Sequence, residues 1–184
     1  MQLNLSVQKG IGLVEILVAL LLLAVAVLGF SAMQLTAVKA TDESVMRSRA
    51  LSMMRGGAEM MRANPDGIDA FKKALNGTPV VTDITKSSCV ATSATMTSNV
   101  NDPTKCTVNQ LATRDALVIK DFADSNSMAV RAETCPDTNR GQTLTCLITA
   151  WGATNPTIGT NSTDCIDNTG IYIKGSTCFV LEAY

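Results

Sequence analysis

From Ile16 to Val38 the chain runs for 23 residues without a charge or a proline, ILVALLLLAVAVLGFSAMQLTAV. At about 1.5 Å per residue, a helix of this length crosses a hydrocarbon layer of roughly 30 Å. In lipid every backbone N–H and C=O must be satisfied within the segment, so a helix is the conformation that fits. The bland alternative is a cleaved secretory signal. Three details argue against it. The run exceeds the usual apolar region of roughly 7–15 residues. No small-residue cleavage site followed by a polar stretch ends it. A carboxylate, Glu15, stands at its start, where a signal peptide carries positive charge. Such a carboxylate in an apolar setting costs several kcal/mol unless paired or protonated.

The rest of the composition removes whole classes of function. The 184 residues suit one domain of ordinary size or less, and 15 basic against 16 acidic residues give a net charge of -1. A protein that grips nucleic-acid phosphates needs a basic excess, so no nucleic-acid partner is expected. There is no histidine, which excludes Ser-His-Asp and Cys-His catalysis and histidine-ligated metal. Six cysteines, an even number with no C-x-x-C pair, read as disulfides rather than a metal site, and hence as an oxidising compartment. No nucleophile–base spacing, phosphate loop or carboxylate pair stands out; Asp66, Asp69, Asp83, Asp102, Asp115, Asp121 and Asp124 are dispersed. No catalytic residue, metal or cofactor is expected.

Beyond Val38 the chain turns polar but keeps a helical period. Met46, Ala50, Met53, Gly57 and Met60 fall on one face, with Arg47, Arg49, Arg55, Glu59 and Arg62 on the others. The helix should stop at Asn64-Pro65-Asp66-Gly67, because a residue before proline avoids the α region. That makes one helix of roughly 50 residues, about 75 Å long. Gly56-Gly57 weakens it by roughly 1 kcal/mol per glycine; close packing on a strand is preferred to a kink as the reason.

The remaining chain reads as small elements. Ile68, Phe71 and Leu75 mark a short helix over 68–75, stopped by Asn76-Gly77. Residues 78–106 read as a loop closed by Cys89 and Cys106. Thr107 and Gln110 form a capping-box signature, and Leu111, Ala112, Ala116, Ile119, Phe122 and Ala123 supply the apolar face of a helix over 108–124. From Met128 the period becomes two. Met128, Val130 and Ala132, a turn cluster at 136–141, then Leu144, Cys146, Ile148 and Ala150 give a β-hairpin. Residues 152–170 are expected as loop, 171–173 as a short strand and 178–184 as the last strand of an antiparallel meander.

The residues before the apolar run supply a reason for Glu15. Gln8-Lys9-Gly10-Ile11-Gly12-Leu13-Val14-Glu15 resembles the leader junction of type IV prepilins: a short basic leader ending in glycine, then a glutamate five residues on, then a long apolar helix. The resemblance implies cleavage by a prepilin peptidase between Gly10 and Ile11, N-methylation of Ile11, and a Glu15 that neutralises the terminal amine of a neighbouring subunit during assembly. Two residues depart from the usual pattern, Ile11 in place of phenylalanine and Gly12 in place of threonine or serine. The string Glu15-Ile16-Leu17-Val18-Ala19-Leu20-Leu21, Gly29, the helix end Arg62–Gly67 and a hairpin strand ending in Trp151 are together similar to PilV-type minor pilins.

The resemblance implies an α+β, type IV pilin-like fold with a long N-terminal α-helix packed on a small antiparallel β-sheet head. It divides the chain into a leader (1–10), a transmembrane and assembly half of the helix (11–38), an amphipathic half (39–64) and a disulfide-bonded head (65–184). Six cysteines allow 15 connectivities. A hairpin centred between Arg140 and Gly141 sets Cys135 opposite Cys146. Cys165 with Cys178 would resemble the C-terminal disulfide loop of many pilins, which leaves Cys89 with Cys106. The implied role is a minor pilin of the tip or initiation complex, held in the bacterial inner membrane with its head in the periplasm before entering the fibre. Its partners would be other minor and major pilins through the N-terminal helix, the prepilin peptidase and the inner-membrane assembly platform. The alternatives are a minor pseudopilin of type II secretion, whose E-x-L-V-A-L start is similar, and a tip adhesin.

Overall fold

The structure, a computed structural model, describes residues 12–89, 106–136 and 143–183. The Gly10–Ile11 junction, most of the loop between Cys89 and Cys106, and the hairpin tip lie outside the described residues. The chain divides into two compact units, Met1–Val45 and Met46–Tyr184.

Helix α1 is Leu13–Ala63. It ends where proline requires, and a single 3-10 turn, Pro65–Gly67, leads into α2, Ile68–Leu75. Within the second unit the buried face of α1 is Ala50, Met53, Met54, Gly57, Ala58 and Met61. The expected stripe is therefore rotated. Met46 and Met60 are only half-buried, while Met54 and Met61 are almost wholly covered. At a 3.6-residue period the set 50, 54, 57, 61 is one stripe and 46, 53, 60 its edge. The sequence, apolar at both sets, does not say which is central.

Helix α3, Val108–Ser125, opens with the capping box. The Thr107 hydroxyl accepts the Gln110 N–H at 3.3 Å, and the Gln110 side-chain oxygen accepts the Thr107 N–H at 2.8 Å. Two of the free N–H groups of the first turn are thus satisfied. Ala112, Ala116, Ile119 and Ala123 are buried as expected. Phe122 is 44% exposed, and Thr113 and Asp115 are buried instead. Small residues let α3 approach closely, so the inner face shifts away from the bulky ring.

Strands β1 (Met128–Thr134), β2 (Thr145–Trp151) and β5 (Cys178–Glu182) form an antiparallel sheet in the order β1-β2-β5. β2 does not alternate in burial, because both its faces are covered. On one face Leu147 and Trp151 join Met54, Phe71, Leu75 and Met128 in the helix-side core. On the other, Cys146 and Ile148 join Cys135, Cys165 and Ile166 in a second core. The hairpin register pairs Glu133 with Cys146 and Thr134 with Thr145. It is one residue off the expected centring, so Cys135 is not opposite Cys146. The sequence between the two strands has no two-residue turn signature that would have fixed the register.

The segment expected as loop holds β3 (Asn155–Ile158) and β4 (Asp164–Ile166), a short parallel pair with an irregular register. Side-chain hydrogen bonds rather than apolar alternation organise it, so no period announces it. Of the strand expected at 171–173, only an isolated bridge from Tyr172 to Ile166 is present. The last strand stops at Glu182.

Candidate functional site

The first unit offers one kind of surface. Every residue from Gly12 to Asp42 is exposed, and the run contains an 18-residue window of mean hydropathy 2.9. A lone helix has nothing of its own to fold against. By length and composition it is apolar enough to cross a membrane. Its hydroxyls do not spoil that surface. Ser31 donates to the Val27 carbonyl at 2.9 Å and Thr36 to the Ala32 carbonyl at 3.0 Å. Each hydroxyl proton is absorbed by the helix backbone one turn earlier.

Glu15 is the acidic residue of the first turn. Its N–H donates to the Gly12 carbonyl at 2.9 Å. A carboxylate here faces the positive end of the helix dipole, a favourable placement worth roughly 0.3–1 kcal/mol on an exposed turn. One charge, at a defined place on an otherwise uniform apolar rod, can act as a mark of register.

The head is built to stay folded around the second half of α1. Gly57 explains part of this. A Cβ there would lie 3.2 Å from Leu147 Cδ1 and 3.8 Å from Ile119 Cδ1, so the missing side chain lets α1 sit tightly on β2 and α3. Gly56 meets nothing within 4 Å. The packing expectation holds at the second glycine and gives no reason for the first.

The disulfides are Cys89–Cys106, Cys135–Cys146 and Cys165–Cys178, and no cysteine is free. The last two lie in the second core: Cys135–Cys146 ties the end of β1 to β2, and Cys165–Cys178 holds β4 against β5. Two carboxylates order that cover. Asp164 accepts from the Thr157 hydroxyl at 2.7 Å and from the Asn161 N–H at 2.9 Å. Its pKa is lowered, chiefly by the Thr157 bond and then by the Asn161 N–H. Gly159 lies so close to this carboxylate that a Cβ there would collide with it. Asp167 accepts from Thr169 Oγ1 at 2.6 Å and from the N–H groups of Thr169 and Ile171 at 2.8 and 2.9 Å. Its pKa is lowered too, mainly by the Thr169 hydroxyl.

A groove of about 490 Å³ opens on this face beside β5, among Leu144, Ile166, Tyr172, Val180 and Glu182. Among the described residues no group of three histidine, cysteine or acidic side chains is placed to hold a metal ion. Two residues that shape the sheet were not foreseen. Asn76, read as a helix stop, bonds the backbone of β1, and Tyr172 bonds that of β5. Neither has a sequence signal beyond its residue type.

The Tt1218-like family model, described as type IV pilin Tt1218, matches residues 32–117. Neither a curated protein nor a solved structure matches the chain. The matched stretch runs from the apolar half of α1 through α2 into α3, and it supports a type IV pilin. The architecture agrees: a long N-terminal helix with a small antiparallel sheet is the type IV pilin fold. Glu15, the leader junction and the strands lie outside the matched residues.

Proposed function

We propose that the chain is a minor pilin that takes part in type IV pilus assembly within the tip or initiation complex. The observation that carries this reading is the exposed, charge-free surface of α1 from Ile16 to Val38, headed by the lone carboxylate of Glu15. Such a surface is stable in lipid or in a bundle of like helices and nowhere in water. A pilin uses both environments in turn, first as a single-pass inner-membrane protein with its head in the periplasm and then as a fibre subunit. The proposed division follows: a leader over 1–10, an assembly half over 11–38, an amphipathic half over 39–64 and the head over 65–184. Partners are other minor and major pilins, the prepilin peptidase acting at Gly10–Ile11, which also methylates Ile11, and the assembly platform. The chain acts by assembling, not by catalysis.

The test is a deletion strain scored for surface pili with and without the retraction motor. Loss of pili that returns when retraction is also removed supports an initiation role. Normal pili together with impaired protein secretion would instead support a minor pseudopilin. N-terminal mass analysis of the membrane-fraction protein checks processing, with a start at Ile11 expected and an intact Met1 contradicting it.

A further inference from the structure

The sheet has two edges, and the molecule treats them differently. On β1 the Cys135 N–H donates to the Leu144 carbonyl, so the odd residues bond β2 and the even ones turn outward. That outward edge is closed. The Asn76 side chain accepts the Ala132 N–H at 3.0 Å and donates to the Ala132 carbonyl at 2.8 Å, as a neighbouring strand would. On β5 the bonds from the Trp151 N–H to the Thr177 carbonyl and from the Ala183 N–H to the Thr145 carbonyl turn Cys178, Val180 and Glu182 outward. Among the described residues a single hydrogen bond reaches this edge, the Val180 N–H donating to the Tyr172 hydroxyl at 3.2 Å, and the Cys165–Cys178 disulfide anchors one end of it. Exposed edges are templates for another strand, and here the groove lies beside the open one.

The register says what an added strand would carry. On the groove face, Glu133, Cys146 and Glu182 form one row across the sheet, and Arg131, Ile148 and Val180 the next. Glu133 is paired with Arg131 at 2.9 Å, whereas Glu182 has no ion pair among the described residues. Opposite charges and apolar pairs are the favoured cross-strand neighbours. The residue beyond Glu182 should therefore be basic and the one beyond Val180 apolar. Ile171, 66% exposed, and Tyr172 add an apolar rim.

We propose that the β5 edge and its groove accept an extended segment of a partner protein, with an apolar residue and a lysine or arginine two positions apart, added as a fourth strand. Tyr172 is the removable cap that keeps the edge from pairing indiscriminately. The proposal concerns the head alone and stands apart from the pilus reading.

The probe is a fluorophore-labelled peptide, acetyl-Thr-Val-Thr-Lys-Thr-amide, titrated against the full chain in detergent and read by anisotropy. Saturable binding is expected. Glu182→Lys, an exposed position whose variant keeps its disulfides and helical signal, should weaken it about five-fold or more, since it replaces an attraction by a repulsion. Methylating the peptide nitrogens that face β5 should weaken it about ten-fold. Tyr172→Phe should tighten it about two- to ten-fold by freeing the Val180 N–H. No saturable binding up to millimolar peptide overturns the proposal, as does binding indifferent to Glu182→Lys or to the methyl groups.

Discussion

The two halves of α1 share one backbone and differ in everything the side chains do. From Leu13 to Asp42 no residue is covered, and the apolar side chains run around the whole circumference. From Met46 to Ala63 one stripe is buried and the opposite face carries Arg47, Arg55, Glu59 and Arg62. An all-round apolar helix belongs in lipid or inside a bundle, while an amphipathic one belongs on a core of its own chain. The difference separates two kinds of stability. The second half is held by intramolecular burial and should fail by unfolding. The first buries none of its side chains and should fail only when partners or lipid are required.

The sharpest break in that contrast is the same carboxylate placed on an apolar position of each half, buried in one and exposed in the other. Met54→Asp places a carboxylate in the helix-side core, where Met54 is 0% exposed. It should cost several kcal/mol and abolish a cooperative near-ultraviolet circular-dichroism melt. Leu21→Asp should leave the head's melt in detergent unchanged while reducing membrane integration. Equal melts for the two variants would erase the distinction.

A smaller effect separates the two glycines. Gly57→Leu must displace Leu147 and Ile119 and should destabilise by about 1–3 kcal/mol. Gly56→Ala enters open space and should stabilise by up to about 1 kcal/mol through helix propensity. Thermal melts of the two variants decide this, and a reversed order would mean that α1 does not sit on β2 as described.

The two faces of β2 extend the same comparison inside the head. The helix side is held by apolar bulk, and the other side by disulfides and by the bonds to Asp164 and Asp167. Both carboxylates have lowered pKa values in the folded chain. Their contribution is present above the ordinary aspartate value of 3.8 and is lost as the pH falls through the lowered folded values. Hydrogen exchange at 155–171 should therefore speed up below about pH 4, before the helix-side core loosens. Asp164→Asn and Asp167→Asn should each remove part of that acid sensitivity.

What was legible in the sequence follows from these contrasts. The helix end at Pro65, the capping box at Thr107 and the alternation of Met128, Val130 and Ala132 each rest on local rules, and each is found in place. The stripe on α1 was readable only to within a residue, because methionines occupy both its centre and its edge. β3 and β4 were missed, since polar side chains hold Asn155–Ile166 together and such bonds have no period. The hairpin register was misplaced because the tip carries no short turn signature. Phe122 shows the limit of reading hydrophobicity as burial: alanines gave α3 a closer fit than a ring did.

Glu15 offers the most direct measurement of the assembly role proposed for the first half. If it meets the terminal amine of a neighbouring subunit in an apolar bundle, removing it leaves a buried charge unpaired, at a cost of roughly 3–5 kcal/mol. Glu15→Ala should leave the head's melt, its three disulfides and N-terminal processing intact. Quantified in sheared pili against the membrane fraction, the variant should fall at least about ten-fold below wild type. Wild-type abundance in the sheared fibres, from a strain whose membrane level is unchanged, would contradict a pairing role for Glu15.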